Sequence, residues 1–154
     1  MRRTVQRALL IVGVGLTLGL AANTVSPRRI PFITAPKKVP LPGEFLSLDQ
    51  AQALWNTGAA FFLDARAPAD YDAGHIAQAF NLPVEAFDEY FPQVAPMLSP
   101  DAAIVVYCDG EACELSHRLA DKLRPLGYRN VRLLHNGWTE WRKAGFATVL
   151  PNTK

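Results

Sequence analysis

The clearest pattern in residues 44–154 is a series of short apolar runs separated by stretches in which apolar residues recur every three or four positions. Uninterrupted runs of this length are typical of strands buried on both faces of a parallel sheet. We predict strands within residues 60–63, 76–82, 103–107 and 131–134. Strands that alternate with helices over short connections indicate a small α/β domain with a central parallel sheet.

The stretches between these runs carry helical signals. Ser47 and Gln50 are placed as a capping box for a helix over residues 48–56, which Gly58 ends. Further helical segments are predicted at residues 68–72, 84–98, 114–123 and 138–144. Pro92 and Pro96 interrupt the segment at 84–98, because proline breaks the helical hydrogen-bond pattern.

The first 26 residues have a different character. Arg2, Arg3 and Arg7 precede an uncharged apolar run, residues 8–22, and the uncharged stretch continues to residue 26. A helix of residues 8–26 is about 28 Å long, just enough to span a bilayer core. We expect residues 1–26 to be a single-pass membrane anchor, with a cleaved secretory signal as the alternative. We place the domain on the periplasmic or extracytoplasmic side, although basic residues on both flanks leave the positive-inside rule undecided.

Residues 27–43 are a basic linker with five closely spaced prolines, which exclude helix and central strand. The folded domain is assigned to residues 44–150. Seven of the sixteen Lys and Arg residues lie in residues 1–43, which hold no acid, so nine basic residues remain against fourteen acidic ones and residues 44–154 sum to −5. The pI of about 8.7 therefore reflects the N-terminal tail, and no nucleic-acid partner is indicated.

The most informative stretch runs from residue 103 to residue 116. Cys108 directly follows an apolar run, and a loop of Asp109, Gly110, Glu111, Ala112 and Cys113 separates it from the next predicted helix. Backbone N–H groups of a tight loop and the positive end of a following helix favour negative charge, which lowers a cysteine pKa below about 8.5. The pattern favours a nucleophilic or redox-active Cys108, exposed by its loop. A buried, inert cysteine is the alternative.

Three other residues belong to this prediction. Cys113 either resolves an oxidised or persulfidated Cys108 by forming a disulfide or packs at the start of the helix, and both interpretations stay open. Asp64 and Arg66 follow a neighbouring strand and are expected to support the site through hydrogen bonds or an ion pair. Two cysteines without a nearby histidine pair are too few for a structural zinc site, so we expect neither a metal ion nor a cofactor.

Several short motifs occur in a fixed order within residues 44–150. They are Leu-Asp-Ala-Arg at 63–66, Tyr-Asp-Ala-Gly-His-Ile at 71–76, Val-Val-Tyr-Cys at 105–108, Leu-Gly-Tyr at 126–128 and Gly-Trp at 137–138. In this order and spacing the domain resembles a single rhodanese module. The resemblance implies a three-layer α/β/α fold with a central parallel sheet. It also implies that Cys108 accepts sulfane sulfur as a persulfide and passes it to a thiol or another nucleophile.

The resemblance leads us to expect a membrane-tethered sulfurtransferase whose partners are a sulfane-sulfur donor and a thiol or other nucleophilic acceptor. Asp109, Glu111 and Glu114 stand where members that use thiosulfate often carry basic residues, so an anionic donor meets repulsion. Position 114 is also not the arginine that a related phosphatase needs to bind phosphate. Two alternatives remain: a thiol–disulfide redox or sulfur-relay protein that uses Cys108 and Cys113, and a catalytically inactive binding module.

Overall fold

The computed structural model describes residues 44–110 and 114–151, together with Gln6, Arg7 and Leu10. The predicted linker at 27–43, nearly all of the predicted membrane segment at 1–26, and Glu111, Ala112 and Cys113 of the active-site loop lie outside these residues. Within the described part of the chain, no helix has both the length and the apolar character needed to cross a bilayer. The chain divides into two units, residues 1–39 and 40–154, and the fold given below is that of the second.

The domain contains seven strands and five helices within its described residues. The strands are β1 (Phe45–Leu46), β2 (Phe61–Asp64), β3 (His75–Ile76), β4 (Phe80–Asn81), β5 (Ile104–Tyr107), β6 (Val131–Leu134) and β7 (Thr148–Val149). The helices are α1 (Leu48–Thr57), α2 (Pro68–Asp72), α3 (Phe87–Val94), α4 (Glu114–Leu123) and α5 (Gly137–Lys143).

Five of the strands form a parallel sheet in the order β1-β6-β5-β2-β4. The central strand β5 is buried at all four positions, as its continuous apolar sequence predicts. Its last residue, Tyr107, is in register with Asp64 of β2 and Leu134 of β6. The predicted central parallel sheet is confirmed, and the carboxyl ends of β2, β5 and β6 meet at one edge.

Alternation along β5 divides the core into two apolar clusters. Ile104, Val106 and Cys108 belong to a cluster that includes residues of α3 and α4, whereas Val105 and Tyr107 belong to one that includes residues of α1 and α5. Successive side chains of a strand point to opposite faces of a sheet, so each cluster fills one face. The result is the expected α/β/α arrangement of three layers.

Local sequence signals explain several of the boundaries. The capping box of α1 is formed as predicted, since Ser47 Oγ accepts from the N–H of Gln50 and Gln50 Oε1 accepts from the N–H of Ser47. The predicted segment at 84–98 divides into a 3₁₀ turn, α3 and a second 3₁₀ turn, with Pro92 inside α3. Pro96 is the second residue of the second turn, which begins at Ala95.

The region predicted as one strand at 76–82 is organised differently. It contains two separate two-residue strands: β4 pairs with β2 in the main sheet, whereas β3 pairs antiparallel with β7 in a second, two-stranded sheet. A strand within this segment is confirmed as β4, whereas the pairing of Ile76 in β3 with β7 was not predicted. Strands of two residues are too short to show a period, and their pairing depends on partners distant in sequence.

Candidate active site

Cys108 lies at the carboxyl edge of the main sheet, immediately after β5. The N–H of Ala65 donates to the carbonyl of Tyr107 at 2.9 Å, which extends the β2–β5 pairing to this edge. Ala65, Cys108 and His135 therefore start three neighbouring loops. The position of Cys108 and Asp64 at adjoining strand ends is confirmed, and this is where parallel α/β sheets place their ligand and catalytic groups.

The state of the Cys108 side chain differs from the sequence prediction. Its exposed fraction is 0%, and it belongs to the apolar cluster that contains Leu63, Ala65 and Leu119. Cys108 is also disulfide-bonded. The expectation of an exposed thiol is wrong for this state, because alternation along β5 turns the side chain into the α3–α4 face of the sheet. Cys113, the other cysteine of the chain, lies outside the described residues.

The backbone N–H of Gly110 also points elsewhere than predicted. It donates to Asp109 Oδ1 at 3.0 Å and to Asn136 Oδ1 at 2.9 Å. A donor shared between two side-chain oxygens is not available to a sulfur anion. The predicted ring of loop amides around Cys108 is therefore not formed at Gly110 in this oxidised state.

The start of α5 fixes the base of the loop. The N–H of Trp138 donates to the carbonyl oxygen of Cys108 at 3.1 Å, and the hydroxyl of Thr139 donates to Asp109 Oδ1 at 2.5 Å. Gly137 permits this approach, since a Cβ at that position would lie 2.6 Å from the Cβ of Tyr107. Neither Asn136 nor Thr139 was singled out from the sequence as a site residue; the Asn-Gly pair at 136–137 was the available signal.

Asp64 and Arg66 form the predicted ion pair, but on the other face of the sheet. Arg66 Nη2 lies 2.6 Å from Asp64 Oδ2 and donates to the carbonyl of Gly74 at 2.8 Å, and both side chains are buried. Burial opposes the charge on Arg66, yet the hydrogen bond and charge of Asp64 together raise the pKa of the guanidinium. The Arg66 guanidinium also lies 5.1 Å from the ring centroid of Trp138. The pair thus packs against the ring of Trp138, whose backbone N–H donates to the carbonyl of Cys108.

Tyr107 lies beside the pair of Asp64 and Arg66, and the sequence did not single it out as a site residue. Its hydroxyl accepts the N–H of Ile76 at 3.2 Å and is hydrogen-bonded to Asp64. Burial, reinforced by the negative charge of Asp64, raises the pKa of Tyr107 far above its ordinary value. The phenol therefore stays protonated and serves as a fixed structural donor.

Charge at the mouth of the loop is predominantly negative. Asp109 and Glu114 are exposed on either side of the undescribed part of the loop. Arg118, one turn along α4, is held by Glu85, with Nη1 2.5 Å from Oε1. The hydrogen bond and charge of Arg118 lower the pKa of Glu85, so this cation is already neutralised at the surface.

A sequence comparison identifies the fold independently. The rhodanese-like domain family matches residues 47–144, which is more than half of the chain. The chain belongs to the rhodanese-like domain family. Its predicted fold is confirmed, and the loop after β5 is the loop that the rhodanese resemblance assigns to the reactive cysteine.

Known proteins similar to this rhodanese-like domain include tRNA uridine(34) hydroxylases. The protein from Sodalis glossinidius is 32% identical over 112 residues, and that from Photorhabdus laumondii is 30% identical over the same length. Each match covers 71% of this chain but 31% of the relative. The chain thus spans about a third of the length of these relatives.

Solved structures give the same result for the fold. BH2092 from Bacillus halodurans has a TM-score of 0.62 at 25% identity, covering 71% of this chain and 78% of that protein. The rhodanese-like domain of Alr3790 from Anabaena has a TM-score of 0.58 at 25% identity, and the match covers 70% of this chain and 79% of that domain. A persulfide form of EanB with ergothioneine has a TM-score of 0.59 at 24% identity, and the match covers 69% of this chain and 28% of EanB. This match shows a similar fold and nothing more.

The predicted site residues of the rhodanese-like domain thus fall into three groups. Cys108, Asp109 and Gly110 lie together at the start of the loop, Asp64 and Arg66 lie across the sheet, and Glu111, Ala112 and Cys113 are outside the described part. In that described part, no three His, Cys, Asp or Glu side chains are grouped so that they could bind a metal ion. The arrangement thus places a buried, disulfide-bonded cysteine at the end of the central strand, directly before the loop to α4.

Proposed function

We propose that this rhodanese-like domain is a sulfurtransferase that carries sulfane sulfur as a persulfide on Cys108. The observation that carries the proposal is the position of Cys108 directly after β5, at the carboxyl edge of a rhodanese-like sheet and before the loop to α4.

The buried disulfide of Cys108 represents the resting, oxidised state in this proposal. A dithiol reductant supplies two electrons and two protons, which break the disulfide and leave two thiols. Deprotonated Cys108 then becomes the nucleophile. Reduction therefore converts Cys108 from a disulfide sulfur into a thiol that can be deprotonated.

Sulfur transfer then proceeds in two displacements without net oxidation. The Cys108 thiolate attacks the outer sulfur of a donor persulfide, the S–S bond of the donor breaks, and the electron pair leaves on the donor's inner sulfur, which takes up the proton. An acceptor thiolate next attacks the outer sulfur of the Cys108 persulfide. The Cys108 thiolate is the leaving group and is regenerated.

The donor in this proposal is an uncharged or cationic organic persulfide rather than thiosulfate. Asp109 and Glu114 are exposed at the loop, and Arg118 is neutralised by Glu85. A dianionic donor would approach two exposed carboxylates, and like charges at short range disfavour binding.

The proposal is tested by loading the fully reduced protein with the persulfide of a cysteamine derivative and then adding cyanide. We expect one equivalent of thiocyanate for each wild-type chain and none from Cys108→Ala. Ser116→Ala, which removes another buried polar side chain on the loop side without removing a thiol, is the matched control and should keep the sulfur. Equal release from wild type and Cys108→Ala would contradict the proposal.

A second candidate function is favoured by the disulfide itself. A thiol–disulfide redox protein would use the oxidised Cys108 as its working state, and Cys108 is disulfide-bonded here. Cys113→Ser separates the two functions, because sulfur transfer needs only Cys108 whereas catalytic reduction of a partner disulfide needs both thiols. Retained sulfur transfer without dithiol-dependent reductase activity would favour the first candidate.

We do not propose tRNA hydroxylation as the activity of this chain. The relatives that carry that name are about three times as long as the matching region, and residues 44–154 carry a net charge of −5. Nucleic-acid binding draws most of its affinity from contacts between cations and phosphates. A negative domain therefore favours a small-molecule or protein partner for its sulfur.

We further propose that the N-terminal segment tethers the domain to a membrane, on the periplasmic or extracytoplasmic side. The support is the sequence alone: an uncharged apolar run at residues 8–22 that follows Arg2, Arg3 and Arg7. The full chain should remain in the membrane fraction after alkaline carbonate extraction, and a chain beginning at residue 44 should not. Extraction of the full chain into the supernatant would contradict the tether, and a topology reporter fused after Lys154 would decide the side.

A further inference from the structure

We propose that Asp109, Asn136 and Thr139 form a loop clasp that positions the active-site loop by holding the Gly110 N–H away from the sulfur of Cys108. The inference deepens the proposed function, because it names the side chains that decide how well the loop stabilises a sulfur anion. None of the three touches the reacting sulfur in this account, so they are positioning residues.

The clasp is defined by three hydrogen bonds. Gly110 N–H donates to both Asp109 Oδ1 and Asn136 Oδ1, at 3.0 and 2.9 Å. Asp109 Oδ1 also accepts the hydroxyl hydrogen of Thr139 at 2.5 Å. The bonds to Asn136 and Thr139 join residues 26 and 30 positions apart, so they tie the active-site loop to the start of α5.

The α5 side of the clasp is fixed relative to Cys108. Gly137 packs so closely on β5 that a Cβ there would lie 2.6 Å from the Cβ of Tyr107. The next residue, Trp138, donates its N–H to the carbonyl of Cys108. Asn136 itself adopts a left-handed conformation with φ of 47°, which asparagine tolerates better than most residues. The oxygen that attracts Gly110 N–H is thus placed by backbone packing rather than by a mobile side chain alone.

The chemical consequence follows from competition for one donor. A thiolate or persulfide anion is stabilised by N–H groups that point at it, and a hydrogen bond to a charged acceptor contributes more than one between neutral groups. Asn136 and Asp109 remove the Gly110 N–H from that role. Loss of the Asn136 acceptor leaves Asp109 to hold this N–H alone, which makes the N–H easier to turn toward the sulfur and should favour the anionic form of Cys108.

The direct test is Asn136→Gly, since glycine keeps the left-handed backbone and removes only the side-chain acceptor. The full chain is reduced, and Cys113→Ser is the common background so that alkylation by iodoacetamide reports Cys108 alone. We expect the midpoint of the alkylation pH profile to fall by about one pH unit relative to the background protein. Asn130→Gly is the matched control, because Asn130 is exposed and precedes β6 at the opposite edge of the sheet; it should leave the profile unchanged.

Thr139→Val provides a second, independent arm. Valine keeps the shape of threonine but donates no hydrogen bond to Asp109, so the carboxylate is free to turn away from Gly110. The midpoint should fall by less than for Asn136→Gly but in the same direction. A pH profile that neither variant moves, with circular dichroism unchanged, would overturn the clasp.

The outcomes also separate this inference from the proposed function. If both variants shift the profile while wild-type protein takes up no sulfane sulfur, the clasp stands and the sulfurtransferase proposal fails. If wild-type Cys108 carries sulfur while neither variant shifts the profile, the sulfurtransferase stands and the clasp fails.

Discussion

The two faces of the sheet meet at the end of β5 and are built in opposite ways. On one face, Asp64, Arg66 and Tyr107 are buried and joined by ion-pair and hydrogen-bond contacts beneath Trp138. On the other, Cys108 is buried among apolar residues, and the exposed residues Asp109 and Gly110 that follow it are hydrogen-bonded to the start of α5. Contacts among buried charges are costly to break, whereas exposed hydrogen bonds exchange readily with water. The cluster of Asp64, Arg66 and Tyr107 therefore supports the fold, whereas the exposed hydrogen bonds at Asp109 and Gly110 are the easier contacts to break.

Arg66→Met should produce the largest loss of stability. It leaves the carboxylate of Asp64 buried at 0% exposure without its cation, and breaking a buried pair in this way costs about 3–5 kcal/mol. Urea denaturation measures the free energy of unfolding. Arg118→Met, which breaks the exposed pair with Glu85, is the control and should change it little. Equal losses for the two variants would remove the distinction between buried and exposed charge pairs in this domain.

Gly137→Ala should lower both stability and reactivity. The added Cβ would lie 2.6 Å from the Cβ of Tyr107, so α5 or β5 must shift, at a cost of about 1–3 kcal/mol. The shift also weakens the bond from Trp138 N–H to the carbonyl of Cys108. Slower uptake of sulfane sulfur by the reduced variant, at a temperature where it is fully folded, is the expected readout. Wild-type stability and wild-type uptake together would show that the approach of α5 to β5 is not tight.

Tyr107→Phe should change the pH dependence of stability. Because the pKa of Tyr107 is raised in the folded state, the unfolded chain loses this proton first, near pH 10, so the stability from the protonated phenol is present below pH 10 and declines above it. Removing the group should flatten the decline in the free energy of unfolding above pH 10 by up to about 1.4 kcal/mol per pH unit. An unchanged slope in urea titrations between pH 9 and pH 11 would contradict a buried, protonated Tyr107.

Glu114→Gln should have the smallest effect and leave stability nearly unchanged, since the side chain is exposed. It removes one negative charge at the loop, so use of thiosulfate should rise about two- to fivefold at low ionic strength, while use of an uncharged persulfide should not. Asp101→Gln, at an exposed position before β5, is the matched control. A gain that persists in high salt, or that the control reproduces, would argue against electrostatic selection at the loop.

Much of the fold was predictable because the central strands are uninterrupted apolar runs. That pattern placed β2, β5 and β6 and put Asp64 and Cys108 at their carboxyl ends. The short strands β3 and β7 were not predictable, since two residues show no period and their pairing joins positions 75 and 149. In the site, Asp64 and Arg66 were expected to form hydrogen bonds or an ion pair, but the face of the sheet on which they lie followed only from the register of β2 with β5.

The parts of the site that the sequence did not reveal depend on contacts between distant residues. Asn136 and Thr139 carry no local signal that they bond to Gly110 and Asp109, because the partners are 26 and 30 positions away. The burial of Cys108 likewise depends on α3 and α4 covering its face. Gly137 is part of the Gly-Trp motif at 137–138. The reason why a glycine is needed there is its close packing on Tyr107, which appears only in the structure.

The most direct test of the central claim is the intact mass of the reduced protein after incubation with a sulfane-sulfur donor. Sulfur carriage on Cys108 predicts one added sulfur atom on wild type and on Cys113→Ser, lost on treatment with cyanide, and none on Cys108→Ala. No added sulfur on reduced wild type, or the same addition on Cys108→Ala, would contradict it.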